Sequence, residues 1–523
     1  MNGLRARLQS WLPASGAVAA AAAAVAMLAC PSSASASRGQ ESMFQDDSLL
    51  VFRSPVDVAR TLDGLRYLGV DRVRVTVFWK DLAPDPTAGR RPNANTGDPA
   101  VYSPPGWARY DTLVRLAATR GIGVNFNVSG PVPTWAADRS SYPPFTGHFR
   151  PSALEFGRFV EALGRRYSGT YRTADGQLVP RVSYWSIWNE PNGIHFLAPV
   201  WQRNRHQWVE RSAVMYRALL DAAWSSLVRT GHGPGTDTIL IGETSPQAKA
   251  QPAPSRSARP LRFIRALYCV AADLQPLSGV SAAVRACPTR PGGGGFAAAH
   301  PALFEATGFA HHPYELVLAP TTPSEPDAVS TADLPRLTST LDGIFRAYGS
   351  GRQLPIFNTE FGYESRPPSP HGVSFLRQAA YLNEAEFLTY RNPRVASFSQ
   401  FLLGDYPTSD LFHTGLVQSD GRLKPAYSAY RTPIWIPQTF SPSGRFRVWG
   451  LLRPGRSGGV TSAVIQYARA GGAFATVASA TAASARGYVD RSVRVPASGR
   501  IRIGWRDPAS GGTVYSRAIA VSR

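Results

Sequence analysis

Apolar positions along this chain follow two different periods. From Phe44 to about Arg431, short apolar runs alternate with stretches in which apolar residues recur every three or four positions. These are the signatures of buried strands and of helices with one buried face. After Pro437 the period drops to two, which fits strands with one face buried and one exposed. In the first region Ser54 is placed to cap a helix that begins with Pro55, Val56 to Leu68 carry the helical spacing, and Gly69 ends it. Strands are expected at Ser42 to Gln45, Val73 to Trp79, Gly123 to Gly130, Val182 to Glu190, Thr238 to Glu243, Gly308 to Tyr314, Leu354 to Gly362 and Val395 to Leu403. Helices are expected between them, at Tyr110 to Thr119, Ser152 to Tyr167, Gln207 to Leu227, Leu261 to Val270, Asp333 to Tyr348 and Phe375 to Thr389. Strands that alternate with helices must pair in parallel, and eight such units predict a (β/α)8 TIM barrel of the α/β class.

The second region reads RFRVWGLL, TSAVIQYA, FATVASAT, GYVDRSVRV, RIRIGW and VYSRAIAV, with Gly471-Gly472 where a hairpin should turn. Six short strands without helices predict a small all-β sandwich of immunoglobulin-like type. The expected domains are therefore 37–436 for the barrel and 437–523 for the sandwich.

Composition changes this picture at three points. Arg5 and Arg7 precede an apolar run from Gly16 to Cys30, and Ala34-Ser35-Ala36 offers a small-residue cleavage site, so residues 1–36 read as a secretory signal peptide. Leu28-Ala29-Cys30 also loosely matches a lipoprotein box, which keeps anchoring through Cys30 as the lesser alternative to free secretion. Removing the leader leaves Cys269 and Cys287, an even pair that an oxidising compartment favours as a disulfide. The formal net charge is +21, and from Phe440 onward thirteen Arg stand against Asp490 and Asp507. A tail so basic would adhere to an anionic cell-wall polymer. It carries no nucleic-acid-binding motif, and for an exported chain nucleic acid is not the expected partner. The other readings of the tail are a carbohydrate-binding domain and a plain spacer. A monomer is the expected state.

Chemistry in a barrel gathers where the strands end at their C-terminal edge. Two expected strands end there in a carboxylate: YWSIWN runs into Glu190, and LPIFNT runs into Glu360. A Glu closing an apolar strand is costly unless its surroundings use the charge. A facing carboxyl pair suits acetal cleavage, one group protonating the leaving oxygen while the other attacks the anomeric carbon, with no cofactor or metal.

YWSIWNEPN and PIFNTEFGY, with VRVTVFWKDLAPD, YDTLVRLAATRGIGV and GLVQSDGRLKPAY elsewhere in the barrel, resemble the clan A retaining glycoside hydrolases, most closely the family 39 and family 5 types. The resemblance implies that Glu190 is the general acid/base, Glu360 the nucleophile, and Asn189 a donor to the sugar 2-hydroxyl. It matches Tyr314, in His312-Pro313-Tyr314, to a tyrosine that contacts the nucleophile, and places His312 beside it among the substrate-binding residues. Arg74 resembles the arginine that supports the nucleophile, with Arg72 on the opposite face of the pleat. Trp79 and Trp135 follow the second and third strands, as sugar platforms or as core. The chain departs from family 5 at Asn127, where a His is usual, and at the end of the eighth strand, where Gln400 and Phe401 stand in place of a Trp and Gln400 becomes the candidate contact.

The implied activity is hydrolysis of β-glycosidic bonds in a polysaccharide or oligosaccharide, endo-acting or exo-acting on a terminal sugar such as xylose. The long segment between Thr244 and Gly308, which holds both cysteines, would cover the catalytic face or serve as a pinned insertion. The rival reading is a non-catalytic polysaccharide-binding or cell-envelope protein on the same scaffold. Three other patterns carry little: Gly455-Arg456-Ser457-Gly458-Gly459 fits a nucleophile elbow but no helix follows it, His311 and His312 lack metal-ligand partners at helical spacing, and Asn127-Val128-Ser129 is a sequon inside a barrel strand.

Overall fold

A computed structural model describes residues 36–139, 147–205, 207–408, 412–454, 461–482, 486–508 and 510–523. The leader, with Cys30, and the Gly455 to Gly459 pattern lie outside the described residues.

Eight parallel strands close into a barrel in chain order: β1 (Glu41–Gln45), β2 (Arg72–Phe78), β3 (Gly123–Ser129), β4 (Tyr184–Ile187), β5 (Thr238–Thr244), β6 (Gly308–His311), β7 (Ile356–Asn358) and β8 (Val395–Phe401), which returns to β1. Each is followed by a helix: α1 (Pro55–Tyr67), α2 (Pro104–Ala118), α3 (Ala153–Arg166), α4 (Arg211–Arg229), α5 (Pro260–Leu267), α6 (Leu334–Ala347), α7 (Phe375–Arg391) and α8 (Pro425–Arg431). The strands are short apolar runs because both of their faces are covered, by the barrel interior and by the helix ring. In β2 the five central residues are all buried. The helices are amphipathic; α3 turns Phe156, Phe159, Val160 and Leu163 inward.

Local signals set the helix ends. The Ser54 hydroxyl accepts the Asp57 N–H ahead of Pro55, and Gly69 takes φ +75° after the last turn. Helix α2 starts at Pro104, one turn and a half before Tyr110, because Ser103 caps it and two prolines are tolerated in a first turn. The helix expected from Gln207 starts instead at Arg211: Gln207–Glu210 pairs antiparallel with Trp201–Asn204 in a small hairpin. No helix among the described residues is long and apolar enough to cross a membrane.

The C-terminal region forms two antiparallel sheets over their own core, which includes Ile465, Ile501, Ile503 and Trp505. The first joins β9 (Ile434–Trp435), β10 (Arg445–Leu451) and β13 (Tyr488–Arg494). The second joins β11 (Ser462–Arg469), β12 (Ala475–Thr481), β14 (Gly499–Arg506), β15 (Thr513–Tyr515) and β16 (Ile519–Val521). Gly471, at φ +71°, turns the hairpin between β11 and β12. The expected last strand is broken in two because Arg517 is drawn out of it, to Asn383 Oδ1 at 2.9 Å and the Ile434 carbonyl.

This β domain packs against the N-terminal edge of the barrel strands, away from their C-terminal ends. Arg453 is buried there, donating to Ser42 Oγ at 2.9 Å, to the Tyr430 carbonyl at 2.6 Å and to the Glu386 carboxylate. Trp449 fills the same seam against Phe387 and Tyr390. Gly69 has to be glycine for a second reason: a Cβ there would stand 2.6 Å from the Cβ of Arg453.

Candidate active site

The ends of β4, β5 and β7 bring three carboxylates together. Trp188 and Glu190, just past β4, sit at φ +67° and +39°, and Glu243 in β5 at φ +44°. Such left-handed non-glycine backbone costs about 1 kcal/mol or more per residue and persists where surrounding contacts impose it. Those contacts are present. The Glu190 N–H donates to the Glu243 carbonyl at 2.9 Å, Asn127 Nδ2 donates to the Trp188 carbonyl at 2.7 Å, and the Asn189 N–H donates to Ser129 Oγ at 3.1 Å. Asn127, at a position where family 5 usually has a His, thus holds the end of β4 in shape.

Arg74 rises from β2 into the centre of the cluster and is fully buried. It donates to Glu360 Oε1 at 2.7 Å, to Glu243 Oε2 at 3.0 Å and to Asn189 Oδ1 at 2.8 Å, and it also contacts Gln45. Because the Asn189 oxygen is taken by Arg74, the amide NH2 is the end left toward the cleft. Arg72, two residues earlier on the same face of β2, meets Glu41 at 2.9 Å and lies over the Tyr184 ring at the N-terminal end of the strands. The Tyr314 hydroxyl donates to Glu360 Oε2 at 3.2 Å.

His312 links all three acids. Its Nδ1 lies 2.9 Å from Glu190 Oε1 and 3.6 Å from Glu360 Oε2, and its Nε2 lies 2.7 Å from Glu243 Oε2. Burial alone would lower its basicity, but the charge of Glu360 and the hydrogen bonds to Glu190 and Glu243 outweigh burial and raise its pKa to about 10. Glu243 is the mirror case: burial opposes its charge, Arg74 and His312 favour it, and its pKa falls to about 2. Thr359 Oγ1 adds a third donor to Glu243 Oε2 at 2.7 Å. Burial and the neighbouring charges of Glu360 and Glu190 push the Tyr314 phenol well above its ordinary value, so it stays a donor.

Glu190, Glu360, Asn189 and Tyr314 border a cleft of about 410 Å³, whose other walls include Phe196, Gln247, Leu316, Phe401 and Phe412. Three expected substrate contacts lie elsewhere. Trp79 is fully buried, stacked on Phe159 at 5.5 Å, and has no face for a sugar. Trp135 packs edge-on against Trp79 and donates to the Pro84 carbonyl at 3.1 Å; neither indole lines the cleft. Gln400 is buried and spends its amide on the carbonyls of Phe401 and Thr414, at 2.7 and 2.8 Å. His312 and Arg74 belong to the site, but they are buried behind the carboxylates and hold those rather than face the cleft. Glu243, not singled out from the sequence, obeys the same rule as its two partners, since TILIGE also closes an apolar strand with a Glu.

Cys269 and Cys287 are joined in the segment between β5 and β6. Arg217 of α4 braces that segment by donating to the Arg285 and Ala286 carbonyls.

One donor atom each from Glu190, His312 and Glu360 lies within 4.8 Å of the others, the spacing a metal ion would need. The chemistry of the donors does not fit one. Both His312 nitrogens are already engaged, Nδ1 with Glu190 at 2.9 Å and Nε2 with Glu243 at 2.7 Å, so neither is left for a metal.

No family model matches the chain, and no curated protein matches it. Among solved structures it is similar to a glucosidase from Croceicoccus marinus, at 13% identity over 93% of this chain and 92% of that one, with a TM-score of 0.48. It is also similar to GH5_18 from Streptomyces cattleya, at 17% identity over 78% of this chain and 84% of that one, with a TM-score of 0.41. A third likeness, to a calcium-binding mutant of Bacteroides uniformis beta-glucuronidase 2, has 10% identity and a TM-score of 0.43; it covers 93% of this chain but only 45% of that longer one. Likeness at this level settles neither substrate nor mechanism, which have to be read from the side chains.

Proposed function

We propose that this protein is a retaining glycoside hydrolase that cleaves β-glycosidic bonds by double displacement, with Glu360 as nucleophile and Glu190 as general acid and base. The observation that carries the reading is the closeness of the two carboxyl groups, whose nearest donor atoms lie within 4.8 Å. Such an approach of one oxygen to another supports direct attack, for which the carboxyl groups stand about 5 to 5.5 Å apart, over a water held between groups about 6.5 Å or more apart.

Charge balance supports the assignment of roles. Three acids, Glu190, Glu243 and Glu360, face two cations, Arg74 and His312. One proton on the acids makes the cluster neutral, and Glu190, with the most exposed side chain of the three at 18%, is the one placed to exchange it with substrate. In the first step a Glu360 oxygen attacks the anomeric carbon while Glu190 gives its proton to the departing oxygen. The glycosidic C–O bond breaks and a glycosyl ester of Glu360 forms. In the second step Glu190 takes a proton from a water as that water attacks the same carbon, and Glu360 leaves as a carboxylate. Two inversions give net retention. Arg74 and Tyr314 hold the Glu360 oxygens through both steps, and the Asn189 amide is free to donate to the sugar 2-hydroxyl.

Mass-spectrometric analysis of products from a panel of plant, fungal and bacterial-envelope polysaccharides and aryl β-glycosides tests this reading, with Glu360→Gln as control. Sugars released by the wild type and absent from the control are expected. Silence on the whole panel would favour the rival reading, a polysaccharide-binding protein on a hydrolase scaffold.

Export is supported by the Cys269–Cys287 disulfide, which an oxidising compartment favours. Arg447 pairs with Asp490, and Arg453 with Glu386, but much of the Arg excess of the β domain is left to meet an anionic wall polymer. Retention on such a polymer should fall steeply with salt.

A further inference from the structure

A second cavity, of about 570 Å³, adjoins the catalytic cleft. The same two segments wall both spaces: the segment after β5 from Ser245 to Lys249, and the segment after β6 from Tyr314 to Ala328. Gln247 borders both, and along the second segment the side chains alternate, Tyr314 and Leu316 lining the cleft, Glu315 and Leu318 the outer cavity. Its size falls within the range of small-ligand pockets.

Three features mark this cavity as built for a ligand. Glu315 is 3% exposed, and its buried Oε2 has no hydrogen-bond partner among the described residues. An unpaired buried carboxyl oxygen is expensive and calls for a donor or acceptor from outside. Burial, with Asp333 adding to it and Ser330 opposing, raises this carboxyl to about 7, so that a protonated form with an O–H to donate is present at neutral pH. Next to it Leu316, Val317 and Leu318 are exposed by 48%, 45% and 54%, three consecutive apolar side chains open to water, and Leu316 is held at φ +61°. The walls are also braced: Arg259 donates to the Ala248 carbonyl at 3.0 Å on one side and to the Pro326 carbonyl at 2.7 Å and Glu325 on the other. Lys249 stands exposed at the mouth.

We propose that this cavity is a distal sugar subsite of the catalytic cleft, in which Glu315 hydrogen-bonds a ring hydroxyl, Leu318 covers an apolar ring face, and Lys249 meets hydroxyls at the rim. The inference rests on the glycoside hydrolase reading and extends it: the substrate is a chain of several sugars that runs on from the point of cleavage along the groove between the two segments, so the enzyme acts on oligosaccharides or polysaccharides rather than on small glycosides alone.

The test compares substrates that reach the cavity with one that does not. On the aryl β-monoglycoside that is turned over fastest and on the di- to hexasaccharides of the same sugar, kcat/KM is measured for the full-length wild type, Glu315→Leu, Glu315→Gln and Lys249→Ala. In the wild type kcat/KM should rise at least about tenfold, equivalent to about 1.4 kcal/mol of transition-state stabilisation, from di- to hexasaccharide. Glu315→Leu should remove most of that rise through KM, Glu315→Gln should keep part of it, Lys249→Ala should weaken it, and all three should cleave the aryl glycoside at the wild-type rate. A wild type indifferent to chain length, or a rise that survives in both Glu315→Leu and Lys249→Ala, overturns the subsite while leaving the hydrolase reading intact. Lys249 is exposed, so its variant answers even if Glu315→Leu fails to fold. A wild type that cleaves no glycoside overturns the hydrolase reading itself; calorimetric titration of hexasaccharides of glucose, xylose and mannose then decides the cavity alone, and no binding, or binding equal in wild type and variants, overturns it too.

Discussion

His312 Nε2 lies 2.7 Å from Glu243 Oε2, a contact between a buried imidazolium and a buried carboxylate behind the two reacting acids. Glu243 does not border the cleft; it contacts His312, whose other nitrogen faces Glu190 and Glu360.

Replacing Glu243 with Gln preserves shape but removes that charge. The expected outcome is a kcat lower by at least about tenfold, which is about 1.4 kcal/mol of barrier. The alkaline limb of the pH profile should move to lower pH, because His312 loses one of the groups that raise its pKa. A rate loss with an unmoved profile would mean that Glu243 is only structural.

The same pair sets a pH window for stability. His312 is raised from 6.5 to about 10, so its contribution is complete below pH 6.5 and is lost as pH rises through about 10. Glu243 is lowered from 4.5 to about 2, so its contribution is complete above pH 4.5 and is lost as pH falls through about 2. Thermal unfolding of the wild type should therefore show a stability that declines on both sides of the interval from pH 4.5 to 6.5. In His312→Gln the alkaline decline should be shallower than in the wild type.

At the opposite edge of the barrel, Arg453→Met leaves the Glu386 carboxyl, whose pKa burial already pushes up, without its partner. Breaking such a pair costs about 3 to 5 kcal/mol. Urea denaturation should read that loss, and aryl glycoside hydrolysis below the transition should be unchanged, since Arg453 contacts Ser42 at the start of β1 rather than the catalytic end.

Glu190→Ala should discriminate between leaving groups. Glycosides of acidic phenols depart without a proton and should keep most of their rate of glycosyl transfer to Glu360, while natural glycosides should lose about 10²-fold or more. Equal losses on both would contradict the acid role.

The barrel was legible because eight apolar runs are separated by seven helical stretches, and each predicted strand has a counterpart in the structure; of the helix ring only the short last helix, Pro425–Arg431, was not read. Glu190 and Glu360 were legible because a Glu that ends an apolar strand is conspicuous. Glu243 met that criterion too, but a third acid has no place in a two-carboxylate scheme until His312 is seen between them. Arg74 and Arg72 differ by two positions and so would share a face in a regular pleat, yet one enters the cluster and the other meets Glu41 and Tyr184. The expectation that Arg72 takes the opposite face fails on the period of two; the two arginines differ in depth along the strand rather than in face. Trp79 was open between the two readings, since an indole beside a strand end serves equally as platform or core, and Phe159 stacked on it places it in the core. The hairpin before α4 was hidden because Trp201 to Glu210 carries mixed apolar and polar residues without a Gly or Pro turn.

The central claim is that Glu360 attacks the sugar directly, and the first anomer released tests it most directly. Proton NMR during hydrolysis of an aryl β-glycoside should show the β-anomer first, with the α-anomer growing in only by mutarotation, and Glu360→Gln should be folded and inactive. Release of the α-anomer first, or turnover near wild type in Glu360→Gln, would contradict it.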